Sequence, residues 1–249
     1  KNSIFFSFAS FLLILLRGEF FIFVILSLIY LLIKDKKNIL KILSISFLIG
    51  LLLYPYIYRN YKIFGVVTIT KSSGYNLLKG NHPNTFVEGT GMFMRVGKIV
   101  PETNIAIEKL KAKGPIEKHD LIMDQILLSQ ALKFIKEDTG KYIKLYIQKF
   151  LSFLFIDINS TYPNYYSFFH IVPKLLLSLS TLAALFLSFN FRINLSNYFA
   201  LFYLSNIGLF SFFFILPRYS LFLLPVQIII TLYGFTQLKK KFSIFNGKN

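Results

Sequence analysis

Few side chains in this chain are equipped for chemistry, and they gather in two places. The first is Gly80-Asn81-His82-Pro83. Gly, Asn and Pro make a rigid turn in any context, so this is either a surface turn or a loop that closes over a substrate. In the second case Asn81 or His82 supplies hydrogen bonds, with Glu88 six residues on. The second place is Pro217-Arg218-Tyr219. A guanidinium presents a fork of donors that matches phosphate oxygens, and it stays charged in a partly apolar setting. Arg218 therefore either contacts a lipid-linked phosphate or snorkels to headgroups. Arg59 offers the same choice between an anchor and a second phosphate contact. Arg17, Glu19 and Asp157 also lie within or beside apolar runs, where an ionisable group is costly unless paired or wetted. Arg17 and Glu19 suit an interfacial pair at a turn, and Asp157 suits a loop near Tyr162-Pro163.

Other chemistries find no residues. There is no Gly-rich phosphate loop, no Gly-x-Ser-x-Gly and no His-Glu-x-x-His. His82, His119 and His170 are far apart: His119 reads as a solvated helix residue and His170 as an interfacial one. With no cysteine, disulfides, thiolate metal sites and thiol nucleophiles are excluded. No residue is assigned to a metal or cofactor.

The elements that position these residues belong to a membrane protein. Hydrophobic residues make up 55% of the chain, 30 of them Phe, and mean hydropathy is +0.58. One soluble core of this length cannot hide so much apolar surface, whereas helical spans in hydrocarbon can. The net charge of +17 does not point to nucleic acid. Its lysines sit in short runs beside apolar segments, such as Lys34-Asp35-Lys36-Lys37 and Lys239-Lys240-Lys241, and no basic stripe interleaves with exposed aromatics. Such runs mark cytoplasmic ends.

The pattern predicts spans over Phe20–Ile33, Ile39–Ile57, Phe168–Phe189, Tyr198–Leu216 and Tyr219–Leu238, with Ile4–Leu16 either a span cut at its start or a re-entrant segment. Lys34–Lys41, Arg192 and Lys239–Lys241 then lie in the cytoplasm. The polar stretch, residues 59–149, and the tight Pro217-Arg218 turn lie on the extracytoplasmic side. The stretch carries at least half of the chain's charges. Within it Val66–Thr70 is β-branched and predicts a short strand, and Glu102–Lys111 a short helix. Pro115–Asp138 predicts a helix that Thr139-Gly140 stops. Lys141–Phe155 starts amphipathic and becomes apolar, as an interfacial helix does. The fold expected is a polytopic α-helical membrane protein of the plasma (inner) membrane. It has spans in 1–58 and 150–238, a cytoplasmic tail in 239–249, and a small mixed α/β extracytoplasmic domain between the spans.

Several segments resemble GT-C integral-membrane glycosyltransferases, in the branch of protein O-mannosyltransferases and the lipid A aminoarabinose transferase. Tyr54-Pro55-Tyr56-Ile57-Tyr58-Arg59-Asn60-Tyr61-Lys62-Ile63-Phe64-Gly65 resembles that branch's span-to-loop junction. Gly74-Tyr75-Asn76-Leu77-Leu78-Lys79-Gly80-Asn81-His82-Pro83, with Gly89 or Gly91, is similar to its Gly-x-Asn-Leu-x-x-Gly-Asn-x-Pro loop. Ala131–Tyr142 is similar to its helix-Gly-helix return, and Pro217-Arg218-Tyr219 with Leu223-Leu224-Pro225 to its last span.

The resemblance implies an inverting transferase that takes a sugar from a polyprenyl-phosphate donor to a lipid, glycan or protein acceptor on the extracytoplasmic face. Arg218, Tyr219 and Arg59 would stand on the phosphate side, with Asn81 and His82 lining the cavity. The family's carboxylate, a base or divalent-metal ligand in the first outer loop, has no counterpart here. The chain starts at Lys1 and reads as the carboxy-terminal part of a longer enzyme, so no catalytic residue is assigned. Alternatives are a transporter or flippase of lipid-linked saccharides, a polymerase or ligase of surface polysaccharide, and a non-enzymatic membrane subunit. Matching halves with Gly/Pro-broken spans, which a transporter would favour, are not evident.

Overall fold

The computed structural model describes residues 2–34, 37, 39–70, 72–88, 101–112, 119–157, 159–160, 167–190 and 194–246. The expectations on Arg192, Tyr162-Pro163, Gly89, Gly91 and Gly114-Pro115 lie outside the described residues. Helix dominates, and no strand occurs among the described residues. The chain divides into two units, Lys1–Gly74 with Ile105–Ile126, and Tyr75–Asn104 with Leu127–Asn249.

The first unit is built on α1 (Asn2–Leu16), α2 (Phe20–Lys34) and α3 (Ile39–Phe64). Ile14, Val24, Ile45, Ile49 and Leu53 form its core, and the Ser7 hydroxyl donates to the carbonyls of Ser3 (2.9 Å) and Ile45 (3.4 Å). Arg17 and Glu19 pair at 3.6 Å in the α1–α2 turn, so an ionisable pair closes the break between two apolar helices.

Helix α3 extends beyond the apolar run expected over Ile39–Ile57: it continues through Arg59 to Phe64. It stops at Gly65, whose φ of 72° lies in the left-handed region open to glycine. The Gly65 amide donates to the Tyr61 carbonyl at 2.7 Å. The strand expected over Val66–Thr70 is not formed. The Asn60 amide donates to the Thr68 carbonyl (2.9 Å) and the Tyr56 hydroxyl to that of Ile69 (3.1 Å). The Thr68 hydroxyl reaches the Thr70 carbonyl (2.6 Å). Side chains take the acceptors that a ladder would need, and β-branched composition alone makes no sheet.

In the second unit, α4 (Ser73–Gly80, from Tyr75 on) leads into the Gly80–Pro83 turn. Helix α5 (Pro101–Ala112) and the start of α6 (His119–Glu137) belong to the first unit for the most part. Asp138 separates α6 from α7 (Thr139–Leu154), accepting from the Lys141 amide at 3.0 Å. The break therefore comes from an N-cap, and Gly140 lies inside α7 where a stop was expected. Helices α8 (Phe168–Asn190), α9 (Asn194–Ser211) and α10 (Leu224–Asn246) complete the bundle, with a 3₁₀ helix at Pro217–Leu223. Phe153, Ala184, Tyr203, Ile207, Phe210, Ile215, Leu223 and Ile230 make the core. Polar seams run within it: Gln227 donates to the Tyr203 hydroxyl at 2.8 Å, and the Thr181 and Thr231 hydroxyls meet at 3.1 Å.

Among the described residues, three stretches are long and apolar enough to cross a membrane: Ile39–Phe64, Phe168–Leu187 and Pro217–Gln237. Asn2–Leu16, Phe20–Lys34 and Tyr198–Ser211 are shorter apolar helices. The span expected over Tyr198–Leu216 thus ends five residues early, and the tight turn expected at Pro217-Arg218 is preceded by irregular chain. Pro217 opens the 3₁₀ helix, and Leu216 before it is extended (φ −129°, ψ 150°), as sterics before proline require.

Two glycines separate backbone geometry from space. Gly65→Ala forces an L-residue into the left-handed region, at a cost of about 1–2 kcal/mol, and should lower the thermal midpoint of purified protein in detergent. Gly50, in mid-helix with nothing within 4 Å of where a Cβ would stand, should accept Ala with no loss. An unchanged midpoint for Gly65→Ala would contradict the left-handed helix end.

Candidate functional site

Just past the end of α9 at Ser211, the carbonyls of Phe212 and Phe213 lie beyond the helix's own ladder, and other elements converge to satisfy them. Phe212 and Phe213 close the helix with tightened bonds to Leu209 (3.2 Å) and Phe210 (3.0 Å), and the chain then extends to Leu216. The Asn81 amide donates to the Phe212 carbonyl at 2.7 Å and to the Leu77 carbonyl at 2.9 Å. The Lys149 ammonium, from α7, donates to the Phe213 carbonyl at 2.9 Å and to the Gly80 carbonyl at 2.6 Å. Lys149 is 1% exposed.

Gly80 is required by this closeness. A Cβ there would sit 2.5 Å from the Phe213 carbonyl carbon and the Phe214 nitrogen. Beside it the Lys79 ammonium lies 4.5 Å over the Phe214 ring and 5.3 Å over that of Tyr75, two cation–π contacts. Tyr146 of α7 packs its ring 4.5 Å from Phe212 and donates to the Gly208 carbonyl at 3.2 Å.

His82 is buried in the same turn. Its amide donates to the Thr85 hydroxyl (2.9 Å), and its Nδ1 accepts from the Asn84 amide (3.2 Å), which leaves the remaining proton on Nε2. Burial, then the charges of Lys149 and Lys141, pushes the imidazole down to about 4. Lys141 closes the turn from outside, donating to the Pro83 carbonyl at 2.9 Å. Burial lowers Lys149 to about 7.

Next along α7, the Ser152 hydroxyl donates to the buried Glu88 carboxylate at 2.5 Å. The Glu88 amide donates to Asp157 (3.4 Å) and Lys174 to the Ser152 carbonyl (3.4 Å). A second polar knot therefore joins the end of the turn to α7 and α8. Asp157 also accepts from the Asn159 amide at 3.0 Å, a loop role as expected.

Four of the five residues singled out for substrate binding fall in this unit: Asn81, His82, Arg218 and Tyr219. Arg59 belongs to the first unit, exposed, with its guanidinium 3.5 Å from the Asn60 side-chain oxygen. Arg218 is exposed on the first turn of the 3₁₀ helix, its guanidinium 5.8 Å over the Tyr219 ring. Asn81 and His82 are buried within the turn. His170 is exposed and shares a 2.8 Å hydrogen bond with the Ser167 hydroxyl.

Sequence reasoning missed Lys149, read only as part of the Lys141–Phe155 run that starts amphipathic and becomes apolar. The signal was available: counting from Tyr142 and Leu145, Lys149 falls on the apolar side of α7 by helical spacing. Among the described residues no three His, Asp or Glu side chains gather to hold a metal ion. Set against protein-family models, curated proteins and solved structures, the chain gives no match in any of the three.

Two measurements test the clamp. Gly80→Ala should destabilise the protein by about 1–3 kcal/mol or more through overpacking against backbone, and a wild-type thermal midpoint would contradict the close approach. For His82 the folded pKa lies below the unfolded 6.5, so the unfolded chain binds more protons between about 4 and 6.5. Its contribution to stability is therefore present above pH 6.5 and lost as pH falls toward 4. The drop in midpoint across that window should be smaller in His82→Gln than in wild type. Equal drops would place the imidazole in water.

Proposed function

We propose that this protein takes part in transferring a sugar from a polyprenyl-phosphate-linked donor to a lipid, glycan or protein acceptor at the extracytoplasmic face of the plasma membrane, as a GT-C-type glycosyltransferase. One observation carries the reading. One of the stretches on which the family resemblance rests, Gly74–Pro83, is held by a buried clamp to Phe212 and Phe213, which lie about 130 residues on and just ahead of the other, Pro217–Tyr219. Asn81 holds Phe212, and Lys149 holds Gly80 and Phe213. Five residues after Phe213, the chain delivers Arg218 to the surface at the start of a membrane-length helix.

The chemistry suits a phosphate leaving group. As the bond between the sugar's anomeric carbon and the phosphate oxygen breaks, its electron pair moves to that oxygen. A bond from the acceptor oxygen to the same carbon forms from the opposite side. The guanidinium of Arg218 would stabilise the phosphate charge, an electrostatic contribution that grows toward the transition state. Tyr219 keeps that guanidinium beside its ring, and Asn81 and His82 act by holding the turn. No residue is assigned as the base that takes the acceptor's proton.

Arg218→Ala should lower transfer of radiolabelled sugar from a polyprenyl-phosphate donor by about 100-fold or more, with insertion into membranes unchanged. Arg218→Lys should recover part of it, because charge is kept but the fork is lost. Wild-type transfer by Arg218→Ala would remove this residue from the site. Movement of intact lipid-linked saccharide without a glycosylated product would identify a flippase.

A further inference from the structure

Helix α7 has one face that lies open among the described residues. Ile143, Ile147 and Leu151 are 56%, 50% and 47% exposed, and their spacing of four puts them in one stripe. The opposite face is occupied: Tyr142, Leu145, Lys149, Ser152 and Phe153 are buried. At about 100° per residue, a third sector follows the stripe, holding Lys144, Gln148 and Lys141, all exposed. The helix thus has a packed face, an open apolar stripe and a basic edge beside it.

Length limits what the stripe can meet. Sixteen residues extend about 24 Å, short of the roughly 30 Å hydrocarbon core, and α7 is not among the stretches long enough to cross. An apolar stripe with lysines along one edge is how a helix lies in the plane of a membrane surface. The charges favour anionic headgroups. At the α6–α7 junction Glu137 pairs with Lys133 (3.9 Å) and Asp138 caps the Lys141 amide at 3.0 Å.

We infer that α7 docks on an anionic phospholipid leaflet, with Ile143, Ile147 and Leu151 in the shallow acyl region and Lys141 and Lys144 at the headgroups. This holds whether or not the protein transfers sugar. Lys149, on the packed face, stays out of the lipid and holds the Gly80 and Phe213 carbonyls.

The chain contains no tryptophan, so Ile147→Trp creates a single emitter, and Leu151→Trp a second test in a separate variant. Each would be placed in vesicles of phosphatidylcholine and phosphatidylglycerol after size-exclusion confirms a monodisperse protein. Lipids brominated near the headgroup end of the acyl chain should quench emission about twofold or more, and lipids brominated deep should quench less. At equal mole fraction, brominated phosphatidylglycerol should quench more than brominated phosphatidylcholine, and Lys144→Gln should reduce that preference. No quenching by any lipid would show that protein, another copy or a partner, covers the stripe. Strongest quenching from deep bromines would show a spanning helix. Equal quenching by the two headgroup classes would remove the anionic preference. Each of these three results overturns the inference.

Discussion

A helix that ends in apolar surroundings must dispose of its last carbonyls, and the second unit is organised around that requirement. Water is scarce beside apolar spans, so each unpaired carbonyl costs several kcal/mol. Just past α9, the carbonyls of Phe212 and Phe213 meet the demand with two side chains from distant sequence, Asn81 and Lys149. Both donors are buried, and Lys149 bridges to the Gly80 carbonyl as well. Burying an ammonium is itself expensive, and here the cost is offset by two short bonds to carbonyl dipoles.

From this constraint the rest of the unit follows in order. The clamp demands a glycine at position 80, since a Cβ has no room against the Phe213 and Phe214 backbone. It buries His82, and burial, with the charges of Lys149 and Lys141, keeps the ring neutral down to about pH 4, so that Nδ1 accepts from Asn84. It sets the direction of the extended residues up to Leu216, and Pro217 then starts the 3₁₀ helix that presents Arg218. A surface arginine is by itself a weak signal. An arginine at the end of a pinned segment is presented in one place, which is what a phosphate contact needs.

The sequence made the apolar helices legible because periodicity and length are strong signals, and it made the turn at Gly80–Pro83 legible because those residues have few other uses. Three readings failed for local reasons. Val66–Thr70 looked like a strand, but Asn60 and Tyr56 intercept its carbonyls, a tertiary effect invisible to composition. Residues from Arg59 to Phe64 looked like loop because they are polar, whereas the helix continues until Gly65 can turn it. The span through Leu216 looked continuous because hydropathy does not register where carbonyls find partners outside the helix. Lys149 was hidden by its own residue type: a lysine in a run that starts amphipathic reads as surface until its neighbours are counted around the helix.

The absence of cysteine permits a direct test of the clamp in native membranes. Lys79→Cys and Phe214→Cys, combined in one chain, replace two side chains that lie in contact across the junction. A short bifunctional thiol reagent, applied before solubilisation, should link the pair within a single chain, and proteolysis between the two positions should then leave the fragments joined. Neither single variant should do so. Fragments that separate in the double variant, with both thiols shown to be reactive, would contradict the clamp between the Gly80 turn and the Phe212–Phe214 segment.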